Sequence, residues 1–495
     1  MKSIKKNLVY NTVYQIMMIA IPLLTRPYIS RVLGAEGIGI YAYANSIAYY
    51  FVMFAHLGLN NYGNRSIARS RDNKDKLSNT FWSIYFLQVI TSCISCIVYI
   101  FYIIFISDNK VVSLIMLVYV VSAGIDINWF FFGLEEFQMT AIRSVIVKLI
   151  SVASIFLFVH KKEDVIIYCL IYVIGMILSQ LILWTQVPSH VKFAKPSYSD
   201  IVKHIKPNII LFIPIIAVSL YKIMDKIMLG YIVDKTEVGY YESSEGVIQI
   251  PIAIVNSLGA VMLPRISNLV ANKDIKTTTV YIEKSLNIVL FLASSMCFGI
   301  MGVSREFVPL FYGQGFDMCI QLFRILLPSC VFLAFANVIS TQYLIPHQKD
   351  KEYIISVFVG AIVNLSINLL LIPKYGSKGA AIGTFIAELS VCVVQCLSVR
   401  KNIDLKKYIL QNLPFVLSGI IMYEVLYNLF RLNFSSFINL TIKVICGIVL
   451  YFIILSFIEL LFKLFLNRYY CNILSYLKNF TVKNLRMKER TDKQV

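Results

Sequence analysis

Apolar runs of about twenty residues, separated by short polar breaks, recur from one end of this chain to the other, and no other feature limits its fold as tightly. A spanning helix needs about 20 mainly apolar residues. In lipid its backbone polar groups find partners only within the helix itself. Reading runs against breaks predicts fourteen spans, at residues 8–29, 40–61, 79–106, 111–132, 141–159, 165–186, 208–231, 239–262, 284–303, 319–345, 353–372, 379–399, 408–430 and 437–465. The longest connections, 187–206 and 263–283, are too short to fold as separate soluble domains. With 58% hydrophobic and 15% charged residues, a 495-residue chain cannot clothe a soluble surface, so the bilayer is its solvent. The expected fold class is an all-α polytopic membrane protein.

The formal charge of +19 would suggest nucleic acid in a soluble protein, but its placement along the chain says otherwise. With the N-terminus inside, the segments on the inner side carry several-fold more Lys and Arg than those outside. This is the positive-inside pattern with both termini cytoplasmic. Trp82, Trp129 and Trp184 then fall near inner helix ends, where interfacial aromatics are favoured. The basic N-terminus and following apolar run lack a small-residue cleavage site and read as an uncleaved first helix. The basic, partly aromatic stretch 467–495 reads as a cytoplasmic tail lying on anionic lipid.

Soluble-enzyme chemistries find little support. Most of the ten cysteines lie inside apolar runs, and the C-x-x-C at Cys93 and Cys96 has no second pair. No H-E-x-x-H pattern and no G-x-x-x-x-G-K-[ST] loop occurs. The longest external connection, 304–318, carries Arg305, Glu306 and Asp317 without a nucleophile and base pair. A membrane polymerase or acyltransferase is therefore the weaker alternative, and no cofactor or metal is expected.

The segment near Lys192 divides the first twelve spans into two sets of six. "VLGAEGIGIYAYANSI" around Gly34 has a counterpart in "MLGYIVDKTEVGYYESSEGV" around Gly230. Gly39 and Gly239 are 200 residues apart, as are Arg65 and Arg265, while Arg26 and Lys222 each lie eight residues before the Leu-Gly turn of their half. Both halves begin on the same side, so the repeats are parallel, the arrangement of an alternating-access transporter. The expected division is an N-terminal lobe over 1–190, a C-terminal lobe over 191–400, a helix pair over 401–466, and the tail.

The stretch "NTVYQIMMIAIPLLTRPYISRVLGAEGIGIYAYANSIAYYF", the following "LGLNNYGNRSIAR", "DKIMLG" at Asp225–Gly230 and "YGSKGAAIGT" at Tyr375–Thr384 resemble the polysaccharide flippases of the Wzx type. These belong to the multidrug/oligosaccharidyl-lipid/polysaccharide exporter superfamily. The resemblance implies two six-helix lobes plus a final pair. It also implies translocation of undecaprenyl-diphosphate-linked oligosaccharide repeat units from the inner to the outer leaflet of the bacterial cytoplasmic membrane, for O-antigen, capsule or a related polymer. Membrane lipids are implied as partners, with a polymerase and a chain-length regulator beside them. A lipid II flippase and a drug or cation antiporter of the same superfamily are the alternatives. The latter would need an anionic cavity, whereas the charge within these spans leans basic.

An ionisable residue within a span is a functional candidate by default. Arg26, Lys222, Lys226, Arg324 and Lys443 are read as lying within spans. Arg26 either snorkels outward or, with Pro22 and Pro27 bending its helix, turns inward to offer a permanently charged fork to a diphosphate. Arg31 reads as interfacial, with a cavity role as the alternative. Lys222, Asp225 and Lys226, at i, i+3 and i+4, would share one helix face, with Asp225 partnering Lys222 in a second phosphate contact or a self-neutralising pair. Arg324 and Lys443 enter their spans from the outside and are expected to snorkel, with the cavity as the equal alternative for Arg324. Glu242 and Glu245 are either solvated mouth residues or carboxylates that exchange an ion, and Glu388 lies mid-span, where burial favours a protonated or paired state.

Overall fold

A computed structural model describes residues 4–429 and 435–465; the expected tail lies outside the described residues. The described chain is all helix and turn. In order the helices are α1 (Ile4–His56), α2 (Leu59–Ser70), α3 (Lys74–Phe105), α4 (Lys110–Gly124), α5 (Asn128–Gly133), α6 (Phe137–Phe158), α7 (Val165–Trp184), α8 (Val187–His190), α9 (Tyr198–Val202) and α10 (Ile205–Lys222). They continue with α11 (Met224–Ile232), α12 (Lys235–Ala271), α13 (Ile275–Tyr312), α14 (Asp317–Leu326), α15 (Ser329–Ile339), α16 (Asp350–Tyr375), α17 (Ser377–Val399), α18 (Leu405–Glu424) and α19 (Ser436–Phe465). Thirteen helical stretches among the described residues are long and apolar enough to cross a membrane. The first is broken at Gly34, whose φ of +67° leaves the helical region, so it holds two of the fourteen expected spans.

Polar residues in the short connections start the helices that follow. Asn73 caps α3 by accepting from Lys76 N at 2.9 Å, Asn109 caps α4 from Val112 N at 3.1 Å, and Asp404 caps α18 from Lys407 N at 3.1 Å. Along the spans themselves, exposed apolar side chains such as Ile97, Phe101, Ile174, Leu178, Ile448 and Ile453 present the surface a bilayer would cover.

By contacts the chain packs as two units. The first comprises the chain up to Ser244 with Phe311–Cys319 and Asn364–Gly383, so it takes in α1 to α11, the start of α12 and two short pieces of later hairpins. Within it α1 packs against α3, α4, α6 and α11. One end is an aromatic knot: Trp129 is fully buried against Phe81 and donates Nε1 to Gln88 Oε1 at 3.0 Å, while Trp184 and Trp82 donate to the carbonyls of Ile125 and Lys192. All three tryptophans therefore lie at one end of this unit, each with its N–H satisfied. The second unit comprises Glu245–Leu310, Ile320–Val363 and the described residues from Thr384 onward, and in it α18 packs on α19.

Candidate functional site

Arg26 is held by its surroundings on the first arm of α1. Ile29 and Leu33 bury against Ile155 and Val159, and Tyr28 Oη donates to the Val159 carbonyl at 2.6 Å, which fixes this turn against the end of α6. The adjoining pieces come from α11 and α12, which are zipped by two pairs sixteen residues apart. Tyr241 Oη donates to Asp225 Oδ2 at 2.7 Å, and Lys226 Nζ donates to Glu242 Oε2 at 2.9 Å. The other Glu242 oxygen lies 3.7 Å from Arg26 Nη2. One carboxylate thus sits between two cations that are 216 and 16 residues away along the chain.

This triad borders a cavity of 80 Å³ lined by Arg26, Ile38, Tyr41, Tyr168, Glu242 and Tyr312 among others. Tyr41 meets Tyr168 and Tyr172 edge to face at 4.8 and 5.2 Å, and Tyr312 donates to the Ser243 carbonyl at 2.7 Å. Arg26 Nη1 is buried with no hydrogen-bond partner among the described residues. The triad therefore sets two cations against one carboxylate, with the buried Arg26 Nη1 left over as a donor beside aromatic walls. Such a site can accept the oxygens of an anion, for which the planar Arg fork is suited and which it binds without ever losing its proton. Glu242 occupies the position such an anion's oxygen would take, and offsets the cost of two cations within the apolar layer.

The other expected residues are distributed differently. The helix breaks at Ile223 (φ −123°, ψ −32°), between Lys222 at the exposed end of α10 and Asp225 on α11, so Lys222, Asp225 and Lys226 do not share one continuous face. Asp225 is 1% exposed and accepts hydrogen bonds from Tyr241 and from Asn368 Nδ2, the latter at 2.6 Å, in a buried knot extended by Asn364. These partners are uncharged side chains, in place of the expected Lys222. Arg31 is exposed and donates to the Pro27 carbonyl at 2.7 Å, with Gly313 packed on its stem. Arg324 lies in the second unit, over the Tyr427 ring at 5.0 Å. Glu245 begins the part of α12 that belongs to that unit, and Glu388 is buried there on α17. Lys443, expected to snorkel, is buried and pairs with Glu306 at 2.7 Å.

Two residues escaped the reading of the spans. Arg143, within α6, is 7% exposed and donates to the Ser179 carbonyl at 2.8 Å and to Asn128 Oδ1 at 3.0 Å; Lys148 lies one turn further on. Both fall within the predicted span 141–159, and only Arg143 is close to its boundary. The three tyrosines of the cavity carried no signal among 31 in the chain. Among the described residues no three His, Cys, Asp or Glu side chains converge as a metal site.

The repeat takes a physical form within the first unit. A Cβ on Gly39 would lie 1.6 Å from the Lys235 carbonyl oxygen, and one on Gly239 would lie 1.8 Å from the Ala35 carbonyl oxygen. Residues 35 and 39 of one helix thus meet 235 and 239 of the other reciprocally, the close crossing that small residues four apart permit. Lys235 reinforces it, with Nζ 3.5 Å over the Tyr43 ring, 3.7 Å from Asp108 and donating to the Gly230 carbonyl at 2.5 Å.

Known proteins agree with this architecture. A relative from Escherichia coli (strain K12), named "Putative O-antigen transporter", is 25% identical over 405 residues, covering 81% of this chain and 97% of that protein. The "Probable low-salt glycan biosynthesis flippase Agl15" of Haloferax volcanii is 22% identical over 46% of this chain and 48% of its own length. Among solved structures, the lipid II flippase MurJ in an inward closed conformation superimposes with a TM-score of 0.74 at 18% identity, covering 93% of this chain and 99% of its own. An inward-facing multidrug transporter of the MATE family, of the MOP superfamily, gives 0.59 at 13% identity, over 77% and 97%. The family model described as polysaccharide biosynthesis protein matches residues 4–270, more than half of the chain. This multi-pass membrane protein therefore has the fold of the MOP transporters and belongs to the polysaccharide biosynthesis protein family.

Proposed function

We propose that the protein is a flippase that carries undecaprenyl-diphosphate-linked oligosaccharide repeat units from the inner to the outer leaflet of the bacterial cytoplasmic membrane. It does so by alternating access, with both termini in the cytoplasm. The observation that carries the reading is the triad of Arg26, Lys226 and Glu242 beside an aromatic-lined cavity. A diphosphate crossing the apolar layer must have its charge compensated, and a net-positive pair of cations held by one displaceable carboxylate supplies that compensation. The names of two relatives, "Putative O-antigen transporter" and "Probable low-salt glycan biosynthesis flippase Agl15", support a glycan substrate. An antiporter of cationic drugs is disfavoured by the same triad, whose balance is positive. In the proposed orientation the Gly39–Gly239 crossing lies at the outer side and closes it, with a polymerase and chain-length regulator receiving the product there.

Deleting the gene tests the class. Sugar-loaded undecaprenyl diphosphate should build up on the cytoplasmic face while surface polymer is lost; an unchanged polymer with no loaded carrier would sink the reading. Arg26→Ala should abolish complementation, and Arg26→Lys, which keeps charge but not the fork, should retain part of it. Equal, full complementation by both would return Arg26 to an interfacial role.

A further inference from the structure

Arg305 and Arg324, in the second unit, stand on the two arms of one helical hairpin. Arg305 precedes the end of α13 at Tyr312 by seven residues, and Arg324 follows the start of α14 at Asp317 by seven. At 1.5 Å per residue, both lie about 10 Å in from the same end. The Arg305 Cζ is 3.9 Å from the centre of the Tyr427 ring, and its Nη1 donates to the Tyr427 carbonyl at 3.2 Å. That carbonyl lies in a π-turn over Val425–Leu429, a departure from helix that is frequent at functional sites. The Arg324 Cζ is 5.0 Å from the same ring, and the ring of Tyr423, one turn back, lies 5.4 Å from that of Tyr427.

Two permanently charged groups therefore converge on one aromatic side chain, with Cζ atoms no more than about 9 Å apart by the two distances. The neighbouring carboxylates are engaged elsewhere. Glu306 is paired with the buried Lys443 at 2.7 Å, and Glu424 accepts from Asn428. Neither arginine has a carboxylate within ion-pair distance among the described residues. Both residues are exposed, and like charges this close still repel. An anion with several oxygens, bridging the two forks, converts that repulsion into attraction, and phosphate has the matching geometry.

We propose that Arg305, Arg324, Tyr423 and Tyr427 form a second phosphate site, built from no residue of the Arg26 cavity, for the phosphate of a lipid dissolved in the membrane. Two sources share that chemistry, the diphosphate of a prenyl-linked glycan and the headgroup of an anionic phospholipid; only the first rests on the flippase reading. The test uses the full chain in lipid nanodiscs, with farnesyl diphosphate as one probe and phosphatidylglycerol retention by native mass spectrometry as the other. Arg305→Ala with Arg324→Ala should weaken farnesyl diphosphate binding at least about fivefold in an Arg26→Ala background if the site takes the diphosphate. Unchanged farnesyl diphosphate with loss of retained phosphatidylglycerol, but not phosphatidylcholine, assigns it to the headgroup. The milder pair Arg305→Lys with Arg324→Lys keeps charge and fold and should show a smaller loss of the same kind. If neither probe responds to either pair in variants that melt as the parent does, the site is overturned. A chain whose deletion builds up no loaded carrier can still bind phosphatidylglycerol here, so the two failures are distinguishable.

Discussion

Glu242 is the residue on which the site turns, because it satisfies both cations and occupies the place an anionic ligand needs. Glu242→Gln should let a prenyl diphosphate bind at least about tenfold more tightly, since a unit charge at 4 Å and an effective dielectric of 20 is worth about 4 kcal/mol and only part of it need be recovered. The ligand-free variant should lose about 1–3 kcal/mol of stability, because Arg26 loses the carboxylate beside it and Lys226 one of its partners in a partly buried site. Melting curves in detergent with and without farnesyl diphosphate check both: the ligand should return most of the lost stability, and weaker binding than wild type would refute the role. Each member of the triad stood out in the sequence as an ionisable residue in or beside a span. Their convergence did not, since it joins positions 216 and 16 residues apart through packing that no local pattern encodes. Asp225 shows the converse failure. Its spacing from Lys222 suits an ion pair only on an unbroken helix, and the break at Ile223 falls where neither Gly nor Pro marks it.

At the scale of elements, three glycines that look alike in the sequence do different things, and substitution separates them. Gly34 turns the chain between two spans at φ +67°, and a Cβ added there would meet no atom within 4 Å, so Gly34→Ala should cost about 1 kcal/mol through the backbone alone. Gly39→Ala and Gly239→Ala place a methyl group on the facing backbone, where no side chain can rotate away, so the helices must part. The loss should be at the upper end of the roughly 1–3 kcal/mol typical of overpacking, or beyond it. Thermal unfolding of the three single variants decides it; a Gly34→Ala chain less stable than the other two would contradict the crossing. The two glycines stood out in the sequence by their 200-residue spacing, but their mutual contact is set by packing that spacing does not encode. Span number was legible, since hydropathy and length are set by the bilayer. The short helices α2, α8 and α9 were not, lying mostly in polar breaks where capping and tertiary contacts decide structure, and neither was the interruption that sets α5 apart from α4 inside the predicted span 111–132.

For the whole molecule, the proposed alternating access requires that the end assigned to the Gly39–Gly239 crossing open in each cycle, and the side chains around it offer a way to forbid this. Tyr43 and Lys235 lie on the two crossing helices with the ammonium 3.5 Å from the ring centre, so thiols at these positions fall within reach of a short reducible bis-methanethiosulfonate linker. In a background with Cys93 and Cys96, an exposed and a half-buried thiol, changed to Ser, the pair Tyr43→Cys and Lys235→Cys should cross-link in high yield. Removing Lys235 also removes its contacts to Asp108 and Gly230, so the uncross-linked double variant is the reference for activity. Once linked, it should stop exporting, accumulate sugar-loaded carrier on the cytoplasmic face, and recover to the level of that reference when the linker is reduced. The single variants, treated alike, should be unaffected. A linked protein that exports at the reference rate would mean that this end need not open, and substrate would then have to leave by a route other than the one the repeat architecture implies.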